Sequence, residues 1–168
     1  MKYYSKALDW MQTVFKWAMI VSMFTFTVVI IVSVFYRYVL ENSLTWSEQV
    51  ARFLFVWVIM MGVPVIYRDK TATYLDLLVD LFPPVPKQIT AIVMDILIAV
   101  FGGFYGYCGL RYTIKAGATI FQGLNIPAGY IYASEVVCGV AVVLVAIESI
   151  YYRSKGLADT LKGKEADA

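Results

Sequence analysis

The sequence contains no histidine. That removes the commonest metal ligand and the side chain that titrates nearest neutrality, and it excludes a haem held between two histidines. Cysteine is almost as scarce. Cys108 and Cys138 lack CxxC spacing, so the closely spaced reactive pair of a thiol–disulfide membrane enzyme is missing. Both read as small apolar residues inside helices. No GxSxG, HExxH or phosphate-binding loop occurs, and acyl transfer, zinc hydrolysis and nucleotide hydrolysis therefore lack their usual apparatus. The reading is of a non-enzyme with no catalytic residue, no metal ligand set, no cofactor and no nucleic-acid partner. Charge is thin as well: 15% of residues are Asp, Glu, Lys or Arg, where a soluble domain carries about 25%.

What is present is apolar. A hydrophobic fraction of 61% and a mean hydropathy of +0.71 make a bilayer the expected solvent. A span takes roughly 20 apolar residues, so four spans with short links use up the 168 residues and leave no room for a sizeable soluble domain. The expected fold is a single all-α integral membrane domain with spans at about 16–37, 46–67, 88–110 and 128–152 and a frayed polar tail at 153–168. The first residues, MKYYSKALDWMQTVFKW, look like a signal-peptide start only superficially. The apolar run behind them is too long and no small-x-small site follows, so they are read as leading into a retained first span.

Local chemistry refines the boundaries. Thr45 and Glu48 fit the S/T-x-x-E capping box at the start of the second span, and Pro64 is expected to bend its far end. In the link that follows, Leu75, Leu78, Val79 and Phe82 recur at helical spacing with Asp76 and Asp80 on the other side. The pattern predicts a short amphipathic helix at about 72–82, lying in the headgroup plane against phospholipid. Pro83, Pro84 and Pro86 then end it. Gly102 and Gly106 form a GxxxG pair, followed by Gly109, which would let two helices approach closely. Pro127 suits the first turn of the last helix, and Tyr130, Tyr132, Tyr151 and Tyr152 suit its two interfaces.

Lys and Arg set the orientation. Lys2, Lys6, Lys16, Arg68, Lys70, Lys87, Arg153, Lys155, Lys162 and Lys164 fall on one side; Arg37, Arg52, Arg111 and Lys115 fall on the other. This bias places both termini in the cytoplasm.

The charges inside or beside the spans are the candidate functional residues. Glu48 and Arg52 form an i,i+4 pair, acid first, just after Trp46. With Arg37, Glu41, Arg111, Lys115 and Glu135 they make either an internal network among helix ends or a surface for a partner chain. Asp95 lies eight residues beyond Lys87, roughly 12 Å inward at helical rise. A lone carboxylate there suggests a relay, but no run of polar residues joins it to Glu135 or Glu148.

Taken together, the segments resemble the small membrane subunit (DctQ-like) of tripartite ATP-independent periplasmic, or TRAP, transporters. The match runs from Leu44-Thr45-Trp46-Ser47-Glu48-Gln49 through Ala51-Arg52 into Phe53-Leu54-Phe55-Val56-Trp57 and ends at Gly62, another candidate packing position. Arg37, Asp76-Leu77-Leu78, Leu81-Phe82-Pro83 and Asn125-Ile126-Pro127 fit the same order. Gln49 departs from the family pattern where a second acid is common. So does Gly129, where tryptophan is common, and no histidine precedes Asp76. The resemblance implies a bacterial inner-membrane scaffold beside a large elevator-type (M-type) subunit. That subunit would hold the substrate and sodium sites and be fed by a periplasmic substrate-binding protein with a carboxylate such as sialic acid or a C4-dicarboxylate. Two other classes compete. One is an independent four-helix carrier acting as a homodimer, which would need a central acid in a span; the first span has none. The other is a redox subunit, which the missing histidines and cysteine pairs disfavour.

Overall fold

The computed structural model describes residues 2–41, 44–69, 84–117, 119–121 and 126–166. Four helices carry the fold: α1 Lys2–Val39, α2 Thr45–Arg68, α3 Pro84–Ala116 and α4 Gly129–Ala166. Each holds a segment long and apolar enough to cross a membrane: Tyr3–Val39, Trp46–Arg68, Ile89–Ala116 and Gly129–Lys155. Helices are the expected solution, because hydrocarbon offers no partner to an unpaired backbone group. The expected in-plane helix at 72–82, with Leu75, Asp76, Leu78, Val79, Asp80 and Phe82, lies outside the described residues.

Several boundaries differ from expectation. α1 begins well before residue 16, and α4 runs through the expected frayed tail to Ala166. At 38 residues each they would extend roughly 57 Å, far beyond the roughly 30 Å hydrocarbon core. Apolar periodicity marks only the lipid-length part of a helix; at the start of α1 the rest is held by contacts to other helices, with Tyr4 donating to the Leu144 carbonyl at 2.8 Å and Arg68 to Asp9 at 2.7 Å. The capping box does not form. Leu44 is the N-cap and no side chain caps α2, which places Ser47 rather than Glu48 at the third helical position. Ser47 Oγ donates to the Leu44 carbonyl at 2.7 Å. Pro127 precedes the last helix instead of opening it: Ile120–Phe121 (β1) and Ile126–Pro127 (β2) pair antiparallel, and α4 starts at Gly129.

The helices lie in the order α1–α2–α4–α3, since α1 packs on α2, α2 on α4, and α4 on α3. The α3–α4 contact is the tightest. A Cβ added at Gly139 would come within 2.6 Å of Gly106 Cα and 2.7 Å of the Gly102 carbonyl oxygen. Glycine at 102, 106 and 139 thus lets the two backbones touch, the close approach that small residues permit in lipid. Buried Ala141, Val142, Val145 and Ala146 extend this core along α4. On α1, the covered residues Leu8, Met11, Phe15, Met19, Ser22, Phe26 and Val29 recur three or four apart, the period of a seam between helices crossing at a shallow angle. Phe26 stacks on Phe55 at 6.0 Å between centroids, Ser33 and Ser47 share a hydroxyl hydrogen bond of 2.8 Å, and Met19 sulfur lies 3.6 Å from a Cβ placed on Gly62.

Candidate functional site

The two ends of the row differ in chemistry. At the end carrying the chain termini, Arg68 on the last turn of α2 is a hub. Its Nε donates to Glu148 Oε2 at 2.9 Å, Nη1 to Gln12 Oε1 at 2.8 Å, and Nη2 to Asp9 Oδ1 at 2.7 Å. Longer bonds reach the Ser5 carbonyl at 3.3 Å and Glu148 Oε1 at 3.4 Å. A planar guanidinium can bond three directions at once, which a lysine cannot. Here it ties α1, α2 and α4 together. The Arg68 and Glu148 side chains are only 13% and 11% exposed, so the pair is partly desolvated and losing one partner would strand a charge.

One residue on, Asp69 meets Lys16 Nζ at 2.9 Å and accepts from Gln12. The Lys16 ammonium, helped by Gln12 and the Arg68 charge, holds the Asp69 carboxyl below the usual carboxylate range. A second junction forms around Asp95 on α3, 3% exposed. The Tyr67 hydroxyl donates to its Oδ1 at 2.8 Å. Arg153 Nε from α4 lies 3.0 Å from Oδ2, close enough for an ion pair but at an angle that leaves Oδ2 without a true hydrogen bond. Asp95 is thus a paired charge joining α2, α3 and α4. Between these groups opens a cleft lined by Tyr67, Arg68, Val145, Glu148, Ser149 and Tyr152.

The opposite end, where α1 turns into α2 and α3 into α4, carries the other candidates. Arg37, Glu48, Arg52, Arg111 and Lys115 are exposed, Trp46 is 45% exposed, and Glu135 is half-buried. Among the described residues no ion pair joins any of these charges; the four ion pairs all lie at the terminal end. The internal network anticipated for the loop-end charges is therefore absent among the described residues, while an unanticipated one joins the other end. Glu48 sits in the first turn of α2, where the helix dipole favours an acid. Gly102 and Gly106 meet α4, whereas Gly62 has only ordinary contact with Met19.

Sequence reading missed Asp9, Arg68, Glu148 and Arg153 as partners, as well as Gly139. Arg68 and Arg153 enter the sequence reading only through the orientation count, Glu148 only as unlinked to Asp95, and Asp9 not at all; only the fold shows them converging. Gly139 has no small residue four positions away to flag it.

Comparison with known proteins agrees in one direction. The family profile described as "Tripartite ATP-independent periplasmic transporters, DctQ component" matches residues 26–156. The chain is 22% identical over 158 residues to a Haemophilus influenzae protein provisionally named a TRAP transporter small permease protein, covering 94% of this chain and 92% of that one. It is 28% identical over 111 residues to the Haemophilus influenzae sialic acid TRAP transporter permease protein SiaT, covering 66% of this chain but 17% of SiaT. It is 31% identical over 51 residues to the isethionate TRAP transporter permease protein DctMQ of Oleidesulfovibrio alaskensis, covering 30% of this chain and 8% of that protein.

Proposed function

The chain belongs to the DctQ component family of tripartite ATP-independent periplasmic transporters, a family of transporter subunits rather than enzymes, and on that premise we propose that it is the fixed scaffold of its permease. In this reading a large M-type membrane subunit moves the substrate and this small permease subunit holds position beside it. Uptake is sodium-coupled secondary transport of a carboxylate such as sialic acid or a C4-dicarboxylate, delivered by a periplasmic binding protein across a bacterial inner membrane. Both termini face the cytoplasm, and phospholipid surrounds the spans.

The observation that carries the scaffold role is the Arg68 junction, which bolts three helices together at one end. A part against which another moves must resist deformation, and partly buried ion pairs held by several bonds give that resistance. The pairing of Asp95 with Arg153 also weakens the reading of an independent homodimeric carrier, because a relay carboxylate has to be free to exchange its cation. The large subunit enters as partner because SiaT and DctMQ, of which this chain matches only a small part, are named as permease proteins. The surface offered to it comprises Arg37, Trp46, Glu48, Arg52 and Glu135.

Reconstitution tests the reading. Vesicles holding the large subunit with this chain should take up the carboxylate along a sodium gradient, given the binding protein, whereas vesicles holding either membrane subunit alone should not. Sodium-driven uptake by this chain alone would contradict it. Cysteines placed at residues 4 and 160 should resist an impermeant thiol reagent added to whole cells, while one at residue 42 should react.

A further inference from the structure

Asp95, Arg68, Glu148 and Arg153 each have an opposite charge beside them. Glu135 does not. It lies six residues beyond Gly129, roughly 9 Å along the α4 axis, inside the apolar segment Gly129–Lys155. Its stem is seated against α3: a Cβ on Gly109 would fall 2.8 Å from Glu135 Cβ and 3.3 Å from its Oε2. Only a glycine at 109 makes room for the carboxylate there.

Among the described residues, no hydrogen bond or ion pair reaches the Glu135 carboxylate. Tyr105 and Cys138 lie within its electrostatic reach, but neither is a cation, and the Tyr105 hydroxyl is turned to the Met60 sulfur at 3.6 Å. Arg111 and Lys115 are on exposed parts of α3. On α2, the next helix in the row, Gln49 Oε1 and Trp57 Nε1 are buried without partners, whereas Glu135 is half-buried. An ionised carboxylate in apolar surroundings is costly unless a cation joins it. A lipid ammonium stays at headgroup level, whereas this carboxylate is seated against α3 at Gly109, within the apolar segment Gly129–Lys155. A basic side chain on a neighbouring helix can reach that position.

We propose that Glu135 is the intramembrane docking point for an arginine or lysine carried on a transmembrane helix of the large permease subunit. The inference rests on the small-permease reading above and names one contact within it. Its consequences for the isolated chain and for the complex have opposite signs. Alone, the chain loses an unmatched charge when Glu135 becomes Gln; in the complex, the partner's cation is left stranded.

The test co-expresses the large subunit with tagged wild-type chain or Glu135→Gln, and compares recovery of the large subunit and the thermal midpoint of each small subunit purified alone. The expected result is at least about thirtyfold weaker association, from losing one member of a buried charge pair. The isolated variant should melt at or above the wild-type temperature. Undiminished association of the variant overturns the proposal, and so does an isolated variant that melts earlier, since Glu135 would then serve its own chain. If the wild-type chain recovers no large subunit, the small-permease reading fails and takes this inference with it.

Discussion

At the residue scale, a few charges at the terminal end do the joining. Truncating Arg68 to Ala leaves Asp9 and Glu148 facing each other without their cation, and breaking a buried pair in this way costs about 3–5 kcal/mol. Some exposure of Asp9, at 68%, puts the expected loss near the lower figure. Arg68→Lys should restore only part of it, because an ammonium cannot reproduce the forked geometry. Thermal unfolding in detergent, followed by tryptophan fluorescence, measures both. The Asp95 junction is tested by a double-mutant cycle. Asp95→Asn and Arg153→Gln should each destabilise, while the double variant should lose clearly less than their sum. Additivity would mean that the two side chains act independently. Asp69 adds a pH dependence. Its carboxyl is held low in the folded state, so its contribution is complete above the ordinary aspartate value of about 4 and is lost as pH falls through the depressed value. Acid should therefore destabilise the wild-type chain more than Asp69→Asn. Equal acid sensitivity would remove Asp69 from the account.

At the element scale, legibility followed hydrophobic length. Four spans could be read because long apolar runs admit one solution in lipid, and the structure has four helices long and apolar enough to cross a membrane. Helix ends were harder to read. The start of α1 reaches beyond a membrane-length run, where packing rather than composition sustains it; Leu8, for instance, is only 3% exposed. The α2 start misleads because Thr45-x-x-Glu48 satisfies a capping pattern that the chain places one residue out of register. Gly102, Gly106 and Gly139 meet at the α3–α4 contact, and Gly139, the most tightly enclosed of the described glycines, carries no motif. Substitution separates the glycines. Gly139→Ala forces a methyl into the α3 backbone and should cost about 1–3 kcal/mol, the usual penalty of overpacking. Gly103→Ala, whose Cβ would meet only Val143 Cγ2 at 3.9 Å, should leave the thermal midpoint unchanged.

For the whole molecule, the helix order leaves α1 attached along one side. Trp10, Trp17, Phe24, Ile31 and Tyr38, repeating every seven residues, stay mostly exposed on it. α1 is held through its Leu8-to-Val29 seam and by the Arg68 and Asp69 bonds at its foot. Family-level function was legible through motif order, since Trp46, Glu48, Arg52 and Gly62 keep their sequence spacing whatever the fold. The internal network was not, because Asp9, Arg68 and Glu148 meet across intervals that local pattern cannot bridge; Arg68 and Glu148 stand 80 residues apart. The central claim, that this chain is the small subunit beside a large one, is tested most directly by affinity purification from native membranes in mild detergent with quantitation of the co-purifying proteins. The account predicts one large polytopic permease protein at fixed stoichiometry with this chain. Recovery of the chain alone, or only as a homodimer, would contradict it.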